Sequence, residues 1–227
     1  EFQDGTIQTT AASGGGTPAG STGDLQINNG GSFATIDGLN LDTTGNARGT
    51  EALDIQSCRS AATQVASGVS ATTFGICNTA SCLCAVALGY GNHSCHARDT
   101  AVGICSRAFG SLSTAVGYLN DALGARSAAF GHNNSASAYR STAVGVINKA
   151  CGNYSSTLGY TNCISTAGTC STAVGFINNI SSADSSAFGA NNEVCTSSSR
   201  SSIFGHNNIA SGACVVAFGA FNTGSAA

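Results

Sequence analysis

From about residue 70 the chain alternates small or polar residues with apolar ones, and the pattern restarts every fourteen residues. "STAVGYLNDA" at 113, "STAVGVINKA" at 141 and "STAVGFINNI" at 171 are three copies of it. A glycine anchors each copy: Gly75, Gly89, Gly103, Gly117, Gly131, Gly145, Gly159, Gly175, Gly189, Gly205 and Gly219. Eight of the ten intervals are fourteen residues and two, ending at Gly175 and Gly205, are sixteen. The residue before each anchor is always apolar. The residue three after it is asparagine in every copy but one, where Ser106 stands. Five after it comes Ala, Ile or Val in nine of the eleven copies.

Fourteen residues are too few for a helical hairpin. They suffice for two strands of about five residues joined by two tight turns. Ser, Thr, Val and Phe suit strands, while Gly and Asn tolerate the left-handed backbone of turns. One such coil cannot bury its own apolar side, so coils must stack, each strand pairing with the coil above and below. The expectation is an all-β parallel solenoid of about eleven coils, a rod of roughly 50 Å at about 4.8 Å per coil. The anchors are its structural turn glycines. The two longer intervals predict bulges or longer turns.

Charge sharpens this picture. Of ten charged residues after residue 70, Arg107, Asp121, Lys149 and Glu193 lie four after an anchor. Arg98, Arg126, Arg140, Asp184 and Arg200 lie five before one, and Asp99 alone falls outside these two columns. Two columns per coil are therefore expected to face solvent, and the remainder to face dry surfaces. So thin a core argues for burial against other copies of the chain, hence a homo-oligomer. The apolar column before each glycine is expected to lose its exposure inside the coil or between chains.

The pattern S-x-A-[VFL]-G-x-x-N-x-A at this period resembles the head repeats of YadA-like trimeric adhesins, over about residues 70 to 227. The resemblance implies a left-handed β-roll, three chains packing side by side around a threefold axis. Upstream, "GDLQINNGGSF" resembles short modules of bacteriophage tail fibres, and "GTEALDIQSCRSAATQVASG" the lead-in to such repeats in phage-type proteins. Its alternation around Asn28-Asn29-Gly30-Gly31 is a hairpin signal. The chain thus divides into residues 1–23, an N-terminal segment and flexible linker; 24–69, a β-rich junction or cap; and 70–227, the repeat array.

Composition excludes several functions. Only 8% of residues are charged and the net charge is −3, without the basic excess of a nucleic-acid binder. There is no apolar run that would insert in a membrane, and no signal peptide; a chain without methionine reads as processed or trimmed. Serines and glycines recur by column, which marks them as structural, so neither a catalytic set nor a dinucleotide loop emerges. Cys82, Cys84, His93, Cys95 and His96 cluster in sequence, but their spacing fits no common zinc motif. His132 and His206, each one after an anchor, read as packing residues at a turn. An intermittent threonine column at Thr72, Thr100, Thr114, Thr142 and Thr172 is too interrupted for an ice-binding array. No enzyme activity, cofactor or metal is expected.

Eleven cysteines are the exception to this blandness and point to an oxidising destination. No two same-column cysteines occupy adjacent coils, so a vertical disulfide ladder within one chain is excluded on distance. Cys163 and Cys170, four and eleven after Gly159, lie at opposite outer ends of one coil. About five extended residues span roughly 17 Å, so they are expected to pair between neighbouring protomers. Cys82 and Cys95, on successive coils, are the best intrachain candidates, and Cys58, outside the array, is the candidate for an external link.

The combined expectation is a non-enzymatic, disulfide-reinforced, trimeric structural protein of a phage virion appendage: a tail, neck or collar fibre or sheath exposed to the extracellular medium. Its partners would be itself, other virion proteins through the N-terminal segment or cysteines, and a host-surface receptor or glycan. The alternative is the head of a bacterial trimeric autotransporter adhesin at the cell surface.

Overall fold

The structure is a computed structural model that describes residues 46–225 and the backbone of 27–29 and 32–34. Backbone contacts divide the chain into two units, Glu1–Asn40 and Leu41–Ala227. In the first, Ile27–Asn29 pairs antiparallel with Ser32–Ala34, Asn29 opposite Ser32, which is the expected hairpin. The proposed linker lies outside the described residues.

The second unit is a parallel β-solenoid of about twelve coils, and its described residues contain no helix. One sheet has twelve strands and the other eleven, each strand pairing in parallel with its counterpart one coil away. Anchor glycines stand opposite one another throughout, Gly117 pairing with Gly103 and Gly131. The larger sheet begins before the glycine repeat. Leu53–Cys58 is its first strand, and Gln56 occupies the place of the glycine opposite Gly75.

The two strands of a coil differ in length, contrary to the expectation of two similar ones. The long strand has five residues, as in Thr114–Tyr118, and the short one two, as in Asp121–Ala122. The chain reverses at two left-handed positions per coil. One lies two after the anchor, as in Cys105 (φ 50°) and Leu119 (φ 54°); the other lies five before it, as in Arg98 (φ 61°) and Leu112 (φ 63°). A side chain in this conformation costs on the order of 1–2 kcal/mol. An inter-coil hydrogen bond offsets it: the Leu119 amide donates to the Ile104 carbonyl at 2.9 Å and that of Leu112 to Ala97 at 3.1 Å.

Asparagine does not serve the turn in the way its backbone tolerance suggested. The residue before it takes the left-handed conformation, and the asparagine side chain is buried. Asn134 Nδ2 donates to the Phe130 carbonyl (2.9 Å), to the Gly145 carbonyl of the next coil (2.7 Å) and to Asn120 Oδ1 of the previous one (3.0 Å). Its own Oδ1 accepts from the Asn148 amide and Nδ2, each at 3.0 Å. Repeated coil after coil, this is a continuous ladder along the rod. Ser106 maintains it in reduced form, accepting from Asn120 N at 3.4 Å and donating to Gly117 O at 3.2 Å. Gln56 begins it, its Oε1 accepting from Asn78 N at 2.6 Å.

The core is narrow. The residues two before and five after the anchor point inward, and through the middle coils both are alanine, from Ala101 to Ala150. Toward the C-terminus Ile164, Ile180, Val194 and Ile203 replace them. Three of these, Ile164, Val194 and Ile203, sit in the sixteen-residue coils. Those coils keep strand register and place their extra residues in the turn after the short strand, so the longer-turn reading holds. In the first of them Gly168 packs where any Cβ would overlap Ile164 Cγ2.

Candidate functional site

Alternation along the long strand puts the residues three before, one before and one after each anchor on one outer face. No Asp, Glu, Lys or Arg occurs in these three columns from Thr72 to Ala220. The apolar column before the glycine is therefore not inside the coil. It lies on this outer face, with Phe74 55%, Leu158 49% and Phe218 67% exposed in the single chain. Tyr90, Ile104, Tyr118, Tyr160 and Phe176 stand beside it, one after the anchor and also exposed. Parallel register stacks like upon like. Phe188, Phe204 and Phe218 form a continuous ring stack with centroids 5.0 and 4.9 Å apart, and Tyr160 stacks on Phe176 at 5.2 Å.

His132 and His206 lie on this face at the strand ends that run into a turn, as packing residues. His132 packs against Tyr118 at 5.1 Å and His206 against Phe221 at 5.6 Å. Sequence reasoning passed over the column one after the anchor, although two-residue alternation across the glycine would have joined it to the column before.

The short-strand face is polar. Arg107, Lys149 and Glu193 are exposed there, and Arg107 makes a bidentate ion pair with Asp121 of the next coil, both distances 2.6 Å. The charges five before the anchors are exposed as well. Asp99, the one charge outside both columns, is fully buried. It takes the place of a serine in the column four before the anchor. There its carboxylate accepts from Ser113 N at 2.9 Å and His96 N at 3.0 Å.

Burial pushes the Asp99 carboxyl above the ordinary carboxylate range, against the pull of those hydrogen bonds and of His96. The folded state therefore keeps this proton at a pH where the unfolded chain has lost it. Stability from this group is full below the unfolded value and falls as pH rises through the folded one. Asp99→Asn is expected to remove that decline, at the loss of one of the two accepted hydrogen bonds, because its amide nitrogen faces a backbone N–H. Thermal unfolding across the acid-to-neutral range measures both.

The eleven cysteines are all free thiols within the single chain. Cys82 and Cys95 are brought together, the Cys82 thiol donating to the Cys95 carbonyl at 2.9 Å, yet they remain unbonded. Cys163 lies half-buried on a short strand and Cys170 is exposed at a left-handed turn position. Cys58 is exposed at the end of the first long strand. Burial raises the thiol pKa of Cys95, Cys163 and Cys195; the neighbouring thiol of Cys82 adds to it at Cys95, and that of Cys151 at Cys163. Since the thiolate is the nucleophile, iodoacetamide is expected to label exposed Cys58, Cys84, Cys170 and Cys214 of the reduced protein before Cys95 and Cys163. Each unit of pKa elevation corresponds to about a tenfold smaller thiolate fraction. Peptide mapping gives the order, and in a parallel sample kept without reductant, Cys170 left unlabelled together with Cys163 would mark them as a disulfide.

Most buried polar side chains are engaged with neighbouring backbone, Thr79 Oγ1 and Ser127 Oγ being exceptions. Beyond the asparagines, the serines four before the anchors do the same: Ser171 Oγ accepts from Ser185 N (3.1 Å) and Ser201 Oγ from Val215 N (3.0 Å). Among the described residues no three His, Cys, Asp or Glu side chains converge as metal ligands would. Cys82, Cys84, His93, Cys95 and His96 are spread over two coils and both sides of a turn. No protein-family model matches the chain, and no curated protein matches it.

Proposed function

We propose that the chain is a non-enzymatic structural rod: a YadA-like β-roll that trimerises through its long-strand face and serves in a phage virion appendage exposed to the medium. The observation that carries this is the uncharged apolar face running along the array. Patches of this kind on a soluble protein mark an interaction surface. Its occupants are two further copies of the chain. The columns repeat at one spacing from end to end, so equivalent ladders meet at every level, and a three-way arrangement closes upon itself. The buried polar groups support a structural role, because their hydrogen bonds are committed to holding coils together. The virion assignment rests on the resemblance of residues 23–33 to phage tail-fibre modules and of residues 49–68 to the lead-in of such repeats in phage-type proteins. Disulfides between protomers, with Cys163–Cys170 the leading pair, would lock the assembly, and Cys58 would link it to another virion protein.

Charge placed on either face separates the alternatives. Val116→Glu combined with Leu158→Glu is expected to reduce the sedimenting mass to that of one chain under reducing conditions, because it buries unpaired carboxylates. Ser135→Glu with Asn179→Glu, on the short-strand face, is expected to leave the mass unchanged. Equal masses for both double variants would remove the long-strand face as the interface. Immunogold labelling addresses location: gold on a particle appendage supports the virion reading, and gold on bacterial outer surfaces contradicts it.

A further inference from the structure

Most charges on the turn edge stand alone, but one cluster does not. Arg126 and Arg140 occupy the same column in adjacent coils, and Tyr139 and Tyr154 stand beside them. The Arg140 guanidinium lies over both rings, 5.2 Å from the centroid of Tyr139 and 5.6 Å from that of Tyr154. The two rings meet edge to face at 5.4 Å. Arg126 Nη1 donates to the Tyr139 hydroxyl at 3.4 Å. All four side chains are exposed, Tyr154 by 49%.

The cluster concentrates two positive charges with no carboxylate among its members. Where the chain stacks Arg107 next to a charge in the following coil, that charge is Asp121. Here it stacks arginine on arginine at successive turns, so that two like charges repel one another. Among the described residues neither arginine has a carboxylate partner; the ion pairs present involve Arg48, Arg59 and Arg107. Stacking on tyrosine holds Arg140 in place while leaving the N–H groups at its rim free to donate.

We infer that Arg126, Tyr139, Arg140 and Tyr154 form a binding site for an acidic saccharide, a sugar bearing a carboxylate. The guanidinium groups supply paired donors to the carboxylate, and the tyrosines offer ring edges and hydroxyls to the sugar. Nucleic acid is the poorer fit. Its binding requires a basic track, and the column is interrupted by Leu112 on one side and by Cys170 and Asp184 on the other. The inference adds an attachment role to the exposed rod proposed above and rests on that reading.

The test is calorimetric titration of the full chain with trigalacturonate, against its fully methyl-esterified form as the neutral counterpart. Sedimentation mass is recorded on the same samples. The acid is expected to bind and the ester not to. Arg126→Gln with Arg140→Gln is expected to weaken binding about tenfold or more, the loss of at least one charge-assisted pair. Tyr139→Leu with Tyr154→Leu is expected to weaken it as well. Arg200→Gln, in the same column without flanking tyrosines, should have no effect. Equal binding of acid and ester, unchanged binding by the arginine variant, an equal loss in Arg200→Gln, or tighter binding of oligothymidylate than of trigalacturonate would each overturn the site. A trimer that binds neither sugar refutes the site and leaves the rod standing. A monomeric parent chain refutes the rod, whatever it binds.

Discussion

Gly117→Ala is expected to cost more than about 3 kcal/mol and to disrupt the middle of the array, since backbone strain alone contributes about 1–3 kcal/mol. Gly117 has φ +122°, a conformation L side chains rarely adopt. A Cβ there would overlap the Gly131 carbonyl oxygen of the next coil and lie 2.8 Å from Asn120 Nδ2. That carbonyl is itself bonded to Asn120 Nδ2 at 2.6 Å, so moving it breaks the ladder. Gly91→Ala is the matched control. Gly91 has φ +63°, close to the 50° to 57° of the Cys, Leu and Ile residues in its column, and its Cβ would meet only Cys105 Sγ at 3.3 Å. It is expected to change stability by less than about 1 kcal/mol, because the fold already accommodates side chains there. Denaturant unfolding of both variants checks the pair. Similar effects would mean that coil-to-coil contact at the anchors does not set the requirement for glycine.

The second large effect is expected at the asparagine ladder. Asn134→Asp replaces an amide that donates to Asn120 Oδ1, Phe130 O and Gly145 O with an oxygen facing three acceptors. The site is buried, so a charge there is unpaired, and a loss of about 3–5 kcal/mol is expected. Asn134→Ser should be milder, because Ser106 already occupies the equivalent place and keeps a bond to the following coil. In a solenoid each coil is stabilised by its neighbours. The damage should therefore concentrate around the altered coil, where hydrogen exchange would show amides 120–148 losing protection first. Uniform loss of protection along the rod would contradict a nearest-neighbour ladder.

The coil, its stacking and its anchors were legible in the sequence because each is fixed by a periodic constraint. Glycine recurs where a carbonyl of the next coil leaves no room for Cβ. The exposed charge columns were legible for the same reason, and Asp99 stood out because it broke them; its buried serine-like role needed coordinates. The asparagine column was visible, but its role was misread. Asparagine suits both a left-handed turn and an amide ladder, and composition alone does not separate them. The two-residue short strand was missed because alternation over so few positions leaves no signature. The first long strand, Leu53–Cys58, was hidden in the junction since glutamine, not glycine, fills the anchor place. Arg126 and Arg140 read simply as solvent charges. Arg140 stacks on Tyr139 beside it and on Tyr154 of the next coil, and Arg126 bonds to Tyr139 from the previous coil, contacts that a column-by-column reading keeps apart.

The long-strand face carries the most weight, because its ladders are wet in one chain and dry only in an assembly. Sedimentation equilibrium of the unmodified, fully reduced chain tests this most directly, since no disulfide then holds protomers together. A trimeric rod requires a single species of three times the chain mass, persisting at high dilution and in high salt, as an uncharged apolar interface should. A well-folded β-rich monomer under those conditions, with Phe218 and Tyr160 still exposed, would contradict it.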